Sequence, residues 1–318
     1  MFIDVFNGDA DGICALHQLR LAAPAESQLI TGIKRDIKLL NQVQAAAGDQ
    51  VTVLDISLDK NRDALIRLLE NGIKVEYIDH HYAGDIPKHQ NLTAVIDTQP
   101  TVCTSLLVNT LLSSQYLSWA VTAAFGDNLH ESARLAATPL NLSEQALEKL
   151  NVLGTCINYN GYGASLDDLF YHPAALYEKI KPYSNPFDFI DQDEAFQKLK
   201  SGYEEDLMHA AHVKPESIED DTAVYILPDA KWASRVSGIY SNDLAQNNPN
   251  RAHAVLTRIK NNSYQVSVRA PLKTRTGADT LCRQFETGGG RQAAAGINIL
   301  PESDIDRFIQ TFHQHFSA

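Results

Sequence analysis

Three short apolar segments in the first quarter of the chain run directly into acidic or imidazole side chains, and this pattern constrains the fold most strongly. The segments are residues 2–6, 51–54 and 75–78, and the side chains that follow them are those of Asp9 and Asp11, of Asp55, and of Asp79, His80 and His81. Each segment is typical of a β-strand. In an open parallel sheet the carboxyl ends of the strands lie at one edge, and ligands bind there. Oxygen and imidazole donors at that edge predict a site for a hard divalent cation such as Mn²⁺, Mg²⁺ or Fe²⁺.

The size and composition of the chain predict a soluble protein of two domains. The sequence has 318 residues, of which 44% are hydrophobic, and this is enough for a sizeable core. It has no apolar run near the roughly 20 residues of a membrane helix. It also does not open with a secretory signal, which predicts a cytoplasmic protein without a membrane partner. The four cysteines form no CxxC pair, so they predict reduced, buried thiols and argue against a zinc site; they are Cys14, Cys103, Cys156 and Cys282.

Strand-like and helix-like segments alternate along the first part of the chain. Besides the three strands above, we predict strands at residues 28–31 and 93–96, and helices at 13–21, 37–46, 61–70, 104–112 and 116–125. Alternation of this kind predicts a parallel α/β sheet with right-handed crossovers.

The second part of the chain begins with helical segments and then returns to strands. We predict helices at 143–150, 189–212 and 235–246, strands at 223–227, 252–258 and 264–269, and a final amphipathic helix capped by Ser303. These features divide the chain into a first domain over residues 1–188, a helical linker over 189–221 and a smaller α/β domain over 222–318.

Charge is divided unevenly between the two predicted domains. The chain has 27 Lys and Arg against 39 Asp and Glu, a formal net charge of −12. Residues 222–318 hold 11 of the basic and 7 of the acidic residues, so the rest of the chain is strongly acidic. An acidic first domain fits the collection of cations and a basic second one the binding of an anion, although chance variation in surface composition also explains the split. No long stripe of Lys and Arg is present, which argues against a long duplex as the partner.

Taken singly, the acidic positions have ordinary structural explanations. The pair Asp9 and Asp11 lies at a strand-to-helix turn, where one carboxylate can simply cap the helix. Asp55 can be a helix N-cap, with Ser57 as a competitor, and Asp127 can be a solvated residue at the end of an apolar helix. None of them alone identifies a metal site.

The adjacent His80 and His81 are harder to explain by packing, because each ring needs a polar partner when it follows a buried strand. Two neighbouring residues of an extended segment point in different directions. We therefore expect at most one of them to ligate the same cation as the strand-end carboxylates, and the other to face a substrate.

A glycine-rich segment, residues 288–296, carries the last candidate motif. Three glycines present bare backbone N–H groups that an anion can approach closely, and Arg291 adds a planar guanidinium suited to phosphate. The alternative is a flexible glycine loop before a strand at 297–300. The segment is not a GxGxxG motif, so a dinucleotide cofactor is not indicated.

Taken in order along the chain, these elements resemble the DHH phosphoesterase superfamily, which includes RecJ-type nucleases, nanoRNases, cyclic-dinucleotide phosphodiesterases and family II pyrophosphatases. The elements are Asp9 with Asp11, Asp55, Asp79-His80-His81, Asp127 and the segment 288–296. The glycine segment resembles the signature of the DHH-associated C-terminal domain, which separates the nanoRNase-like branch from the pyrophosphatases. The resemblance spans nearly the whole chain. It implies an α/β fold, with a parallel-sheet DHH domain, a smaller α/β C-terminal domain and an active site in the cleft between them.

The resemblance also implies roles for individual residues. It implies two Mn²⁺ ions, with Mg²⁺ as an alternative, one held by Asp9 and Asp55 and the other by Asp11, Asp55, His80 and Asp127. His81, together with Asp79, would form the catalytic pair at the scissile phosphate. In the second domain the substrate-binding residues would be Arg269, Gly289, Gly290 and Arg291.

Two departures from the family pattern matter. Many members place a His four residues before the first motif Asp, whereas this chain has Val5 there, and the nearest polar candidate is Asn7. The first ion would then be held more weakly, or would use Asn7 or water. The glycine segment usually continues with His, whereas Arg291 stands here and would favour a terminal phosphate through a bidentate pair.

The implied function is hydrolysis of linear dinucleotides or very short 5′-phosphorylated oligonucleotides to mononucleotides, by two-metal activation of water. The dinucleotide pGpG, the linear product of cyclic-di-GMP breakdown, fits by size. Two alternatives stay open: a phosphatase acting on 3′-phosphoadenosine 5′-phosphate, and a catalytically weak nucleotide-sensing protein, which the missing His motivates. The residues fix neither the base preference nor the oligomeric state, and a homodimer is one option.

Overall fold

The computed structural model describes residues 1–317 and divides into two compact units, residues 1–202 and 203–318. Ala318, the last residue of the predicted domain 222–318, lies outside the described residues. The boundary between the units falls within the segment 189–221, which we predicted as a helical linker.

The first unit is built on a five-stranded sheet in which every neighbouring pair of strands is parallel, in the order β2-β1-β3-β4-β5. The strands are β1 (Phe2–Phe6), β2 (Ser27–Ile30), β3 (Gln50–Leu54), β4 (Lys74–Asp79) and β5 (Leu92–Ile96). This confirms the predicted parallel α/β sheet and places the carboxyl ends of β1, β3 and β4 side by side.

Helices cover the sheet of the first unit. They are α1 (Ala10–Ala22), α2 (Leu58–Glu70), α3 (Thr104–Leu111), α4 (Leu117–Gly126), α5 (His130–Ala136), α6 (Glu144–Asn160), α7 (Pro173–Ile180), α8 (Pro186–Gln192) and α9 (Glu194–Ala211), the last of which crosses the boundary between the units. Alternate residues of each strand enter different cores. Ile3 and Val5 pack with α2, whereas Phe6 packs with α1, α4 and α6.

Three predicted helices differ from the structure, of which the one predicted at 143–150 continues to Asn160 as α6. The segment 37–46 forms only a 3₁₀ turn at Leu39–Gln42, because Asn61 of α2 bonds the carbonyl of Ile37 and the N–H of Leu40 and so holds the segment in an irregular path. The apolar residues that predicted a helix there are instead buried from the turn, as Leu39 and Leu40. The predicted helix 189–212 is interrupted at Asp193, whose carboxylate accepts a hydrogen bond from the N–H of Ala195 at 2.8 Å.

Helices α4 and α6 approach closely through two glycines. A Cβ added to Gly154 would lie 2.1 Å from the carbonyl oxygen of Thr122, and one added to Gly126 would lie 2.7 Å from the carbonyl oxygen of Gly154. Asp127 follows Gly126 directly, so this contact fixes the position of a predicted metal ligand.

We expect Gly154→Ala to lower the free energy of unfolding by about 2–3 kcal/mol, because the added methyl group meets backbone that cannot move aside cheaply. Urea denaturation monitored by circular dichroism measures the change. Glu148→Ala, at an exposed position of the same helix, is the matched control and should shift stability by less than about 0.5 kcal/mol. Equal stabilities for the two variants would contradict the packing argument.

The second unit contains a six-stranded sheet in the order β10-β11-β9-β8-β7-β6, in which only β7 and β8 are parallel neighbours. Its strands are β6 (Ser217–Ile218), β7 (Thr222–Leu227), β8 (Ala252–Ile259), β9 (Ser263–Arg269), β10 (Gly288–Gly290) and β11 (Ala294–Pro301), and its further helices are α10 (Lys231–Asn247), α11 (Ala278–Cys282) and α12 (Ile305–Phe316). This mixed sheet confirms a smaller α/β second domain.

Two details of the second unit correct the sequence interpretation. The three glycines 288–290 form an edge strand rather than a loop, because Gly288 to Gly290 pair with β11. The final helix begins at Ile305, and Ser303 lies in a 3₁₀ turn before it instead of capping it. Within residues 1–317, no helix combines the length and the apolar content that a membrane crossing requires.

Candidate metal centre

The parallel register brings the residues that follow β1, β3 and β4 to one edge of the sheet. The N–H of Asn7 donates to the carbonyl of Leu54 at 3.2 Å, and the N–H of Asp55 donates to the carbonyl of Ile78 at 3.1 Å. These bonds continue the strand pairing one residue past each strand. Asp9, Asp11, Asp55 and Asp79 are all buried at this edge, as the sequence pattern predicts.

Asp9 and Asp11 share a turn but have different partners. Asp9 caps α1, since its Oδ1 accepts hydrogen bonds from the N–H groups of Asp11 at 3.0 Å and Gly12 at 3.1 Å. The carboxylate of Asp11 instead accepts from the backbone N–H groups of Thr104 and Ser105, each at 2.7 Å, at the start of α3. The turn thus provides the helix cap that the sequence allowed. It also places a second carboxylate, that of Asp11, at the edge of the sheet.

Asp55 adopts a left-handed backbone conformation, with φ of 59°, and its side chain is buried. A non-glycine residue in this region is uncommon, and Asp and Asn tolerate it best. Burial raises the pKa of Asp55 well above its ordinary value, and the charges of the neighbouring carboxylates, Asp9 and Asp11 foremost, raise it further. A bound divalent cation would offset the repulsion between these carboxylates.

His80 is oriented as a metal-ligating histidine would be. Its Nδ1 lies 2.9 Å from the carbonyl of Val102, to which it donates, so Nε2 is left as the acceptor. Nε2 lies 3.3 Å from Oδ1 of Asp55 and 3.9 Å from Oδ2 of both Asp11 and Asp127. One imidazole nitrogen and three carboxylate oxygens from separate chain segments therefore converge.

These donors fit a divalent cation. Among residues 1–317, Asp11, His80 and Asp127 form one group of ligand atoms within 4.8 Å of one another, and Asp55, His80 and His81 form a second. The set of oxygen and imidazole donors suits Mn²⁺ or Mg²⁺.

Two further buried oxygens nearby, Asn7 Oδ1 and Asp79 Oδ2, have no hydrogen-bond partner. A cavity of about 110 Å³ opens at this position and is lined by polar residues that follow four of the five strands and by Asp127; they are Asn7, Asp9, Lys34, Asp55, Ser57, His80, His81 and Asp127.

His81 is held by Asp79, and the two form the predicted catalytic pair. Its Nδ1 donates to Oδ1 of Asp79 at 2.7 Å, which leaves Nε2 as the nitrogen for an external partner. The His81 side chain is 45% exposed, whereas that of Asp79 is fully buried. Burial alone lowers the pKa of His81, but the hydrogen bond and charge of Asp79 outweigh it and raise the pKa above the ordinary value. The His81 ring can therefore donate a proton or a hydrogen bond.

Lys34, which the sequence analysis did not single out, lies inside the same cavity. Its Nζ is 2.6 Å from Oδ2 of Asp9, 3.6 Å from Oδ1 of Asp127 and 2.9 Å from Oδ1 of Asn158, to which it donates. Burial lowers the pKa of Lys34, yet the charge of Asp9 more than compensates and the pKa is raised well above its ordinary value. The site thus contains a cationic side chain of its own.

The four predicted substrate-binding residues lie together in the second unit. Arg269 ends β9 and pairs with Ala294 of β11, next to the turn that joins β10 to β11. Arg291 is exposed in that turn, and Gly290 has a φ of 140°, which favours glycine. Nε of Arg269 donates to Oδ1 of Asn242 at 2.7 Å, which holds the guanidinium in place. Their role in binding a substrate stays a prediction, as does the location of the active site in a cleft.

We expect the Mn²⁺ affinity to depend on the protonation of Asp127. Burial raises its pKa to about 6; the charge of Lys34 opposes the shift, and those of Asp11 and Asp9 add to it. Below that pH the cation must displace a proton from Asp127. Protonation of this one group should therefore raise the Kd for Mn²⁺ by up to about tenfold for each pH unit. Without metal, the folded state binds more protons than the unfolded one between about pH 4 and 6, so this group lowers stability as pH rises through that window.

Manganese titrations between about pH 5 and 8 on the wild type and Asp127→Asn test this dependence. The variant should bind more weakly at neutral pH and should lose the change in affinity near pH 6. Identical pH profiles for the two proteins would contradict a metal-binding role for Asp127.

Comparisons with known proteins agree with the fold and with the second domain. A family model of the DHHA1 domain matches residues 220–318. A search of curated protein sequences found no match. The chain is similar to a manganese-bound structure of the exonuclease RecJ, with a TM-score of 0.55 and 17% identity over 98% of this chain and 89% of that chain.

Two further solved structures are similar. One is RecJ from Thermus thermophilus in complex with Mn²⁺, with a TM-score of 0.59 and 17% identity over 98% of this chain and 51% of that chain. The other is PggH, a pGpG-specific phosphodiesterase from Vibrio cholerae, with a TM-score of 0.57 and 12% identity over 98% of this chain and 99% of that chain. These comparisons support the predicted resemblance: residues 220–318 match the DHHA1 domain, and the chain shares its fold with RecJ and PggH.

Proposed function

We propose that this protein is a metal-dependent phosphodiesterase that cleaves linear dinucleotides or very short 5′-phosphorylated oligonucleotides to mononucleotides. The observation that carries the proposal is the convergence of Asp11, Asp55 and Asp127 on Nε2 of His80. Relatives in fold support the reaction class, since RecJ is an exonuclease with bound manganese and PggH is a phosphodiesterase.

The residues that would hold the cation are Asp11, Asp55, His80 and Asp127, with Asn7 Oδ1 as a further oxygen within the same cavity. When bound, Mn²⁺ or Mg²⁺ would lower the pKa of a water molecule and offset negative charge on the phosphate. Family resemblance implies two such ions, of which the second would lie at Asp9. The hydrogen bond from His80 to Val102 fixes the tautomer that a ligand requires.

The pair of Asp79 and His81 would act on the phosphate itself. Asp79 orients the ring and favours its protonated form, so Nε2 of His81 can donate to an oxygen of the transferring phosphate. A donor placed where negative charge develops stabilises the transition state more than the ground state. His81 is therefore proposed as a catalytic residue, and Asp79 as the residue that positions it.

The size of the cavity favours a small reacting group. A volume of about 110 Å³ can hold a phosphate with a cation, whereas pockets for whole drug-sized ligands span about 300–1,000 Å³. The nucleosides must therefore bind elsewhere. We propose that Arg269, Gly289, Gly290 and Arg291 bind the distal phosphate of the substrate, because they share one end of three adjacent strands. Binding of a terminal phosphate by these residues would favour short substrates, in which that phosphate lies close to the scissile bond.

A panel of di- to pentanucleotides, with and without a 5′-phosphate, tests the proposal. The full chain is incubated with Mn²⁺, and the products are resolved by chromatography. We expect pGpG and similar dinucleotides to yield mononucleotides, with rates that fall as length increases and when the 5′-phosphate is absent. Equal rates for all lengths would contradict the dinucleotide preference.

The same assay separates the two rival functions. Release of inorganic phosphate from 3′-phosphoadenosine 5′-phosphate, without cleavage of dinucleotides, would indicate the phosphatase. Binding of nucleotides with no Mn²⁺-dependent turnover would indicate a sensing protein. The filled set of ligand positions around His80 favours an active enzyme over the sensor.

A further inference from the structure

The ammonium group of Lys34 lies where a second cation would be expected at Asp9. It is 2.6 Å from Oδ2 of Asp9 and 3.6 Å from Oδ1 of Asp127, and it donates to Oδ1 of Asn158 at 2.9 Å. Three oxygens from three separate segments thus surround one positive charge. The side chain is only 25% exposed, so this is an interior contact rather than a surface ion pair.

Both carboxylate oxygens of Asp9 have partners, as do those of Asp11, but only Asp9 is paired closely with a cationic side chain. Its Oδ1 caps α1 through the N–H groups of Asp11 and Gly12, and its Oδ2 faces Lys34. Among residues 1–317, Asp9 belongs to neither of the two groups of converging ligand atoms, and both of those groups contain His80. The geometry therefore describes a single metal centre around His80, next to a lysine.

The backbone of the segment that carries Lys34 is fixed against the Asp9 turn. The N–H of Lys34 donates to the carbonyl of Gly161 at 2.8 Å. A Cβ at Gly8 would lie 2.0 Å from the carbonyl oxygen of Gly32, so the two segments touch directly. Lys34 is thus held at Asp9 by the packing of its own segment.

The sequence around Asp9 agrees with this arrangement. Val5, at the position where many relatives have a histidine, is fully buried in an apolar core and offers no ligand atom. A second divalent ion at Asp9 would lose that ligand and would also have to displace the ammonium. Two unit positive charges within about 4 Å repel each other strongly in a buried site, and a divalent ion repels more.

We infer that the ammonium of Lys34 takes the place of the second divalent cation, so that the protein binds one metal ion, at Asp11, Asp55, His80 and Asp127. The inference rests on the metal centre of the proposed function. It assigns Lys34 a specific role, that of a fixed positive charge in the reacting cavity that neutralises Asp9 and that a chelator cannot remove.

The stoichiometry of Mn²⁺ binding tests the inference without relying on turnover. Metal-stripped full-length protein is titrated with Mn²⁺, and bound ions are counted by calorimetry and by elemental analysis after desalting. Electron paramagnetic resonance distinguishes an isolated Mn²⁺ from two ions roughly 3.5–4 Å apart, which couple magnetically. The variants are Lys34→Ala, which removes the charge, and Lys34→Asp, which supplies a carboxylate in its place. Lys38→Met, at an exposed lysine of the same segment, is the matched control.

We expect one ion per chain and an uncoupled spectrum for the wild type and for Lys38→Met. At least one of the Lys34 variants should bind a second ion and show a coupled spectrum. Two ions in the wild type would overturn the inference and leave the proposed function intact. No bound ion in the wild type would overturn both. One ion in the wild type and in both Lys34 variants would show that Lys34 does not exclude a second cation, which also overturns the inference.

Discussion

The substitution Asp55→Asn is expected to lower kcat/KM for dinucleotide cleavage by about a thousandfold or more, which corresponds to about 4 kcal/mol of transition-state stabilisation. Asp55 lies 3.3 Å from Nε2 of His80 and supplies an oxygen to a converging ligand group. Asparagine keeps the shape and tolerates the left-handed backbone at φ of 59°, but it removes the negative charge. Steady-state kinetics with pGpG and Mn²⁺ measure the effect.

The stability of Asp55→Asn provides the control for this prediction. In the absence of metal the variant should be no less stable than the wild type, because it removes one of several repelling carboxylates from a buried site. Added Mn²⁺ should raise the midpoint of unfolding of the wild type and should raise that of the variant much less. An active variant, or equal stabilisation of both proteins by Mn²⁺, would contradict the role assigned to Asp55.

The substitution His81→Ala is expected to lower kcat by about a hundred- to a thousandfold while leaving the Mn²⁺ affinity nearly unchanged. The ring is half-exposed, and its Nδ1 is occupied by Asp79, so its contribution should be to the phosphate and not to the ion. The neighbouring His80→Ala should show the opposite pattern at low metal, with a marked loss of Mn²⁺ affinity. Kinetics at saturating Mn²⁺ together with calorimetric titration separate the two residues.

A third variant, Asp79→Asn, refines this test. It should lower the pKa of His81, because the charge and hydrogen bond of Asp79 raise that pKa in the folded protein. The alkaline limb of the activity profile should then move to lower pH. A His81→Ala enzyme with wild-type kcat, or one that no longer binds Mn²⁺, would contradict the proposed division of labour between the two histidines.

The convergence of the candidate metal ligands could be predicted largely from the sequence because a parallel sheet fixes where strand ends meet. Once residues 2–6, 51–54 and 75–78 are recognised as neighbouring parallel strands, the residues that follow them, Asp55 among them, must lie near one another. This holds for any arrangement of the helices. The bonds from Asn7 to Leu54 and from Asp55 to Ile78 show this extension of the register directly. The position of Asp127 could not be predicted in this way, because it depends on the glycine contact between α4 and α6 and not on a strand.

Lys34 was missed although the same reasoning could have found it. The predicted strand at 28–31 is parallel to β1, so the residues after it reach the same edge of the sheet. A single lysine in a polar loop carries no motif, however, and sequence alone does not show that its segment packs on Gly8. Asn158 could not have been predicted, because it lies on a helix distant in sequence and meets Lys34 only through tertiary packing.

Elsewhere the errors arose where tertiary contacts overrode local spacing. The segment 37–46 has helical spacing, but side-chain bonds from Asn61 hold it in a short turn. The glycines at 288–290 have little intrinsic preference for a strand, yet pairing with β11 places them in one. In both cases a partner outside the segment determines the conformation.

We propose that side chains from separate segments of the chain hold a divalent cation at which a phosphodiester is cleaved. Anomalous diffraction from crystals of the full chain grown with Mn²⁺ tests it most directly. We expect an anomalous peak within about 2.5 Å of oxygens of Asp11, Asp55 and Asp127 and of Nε2 of His80. Crystals at saturating Mn²⁺ with no peak among these atoms would contradict it.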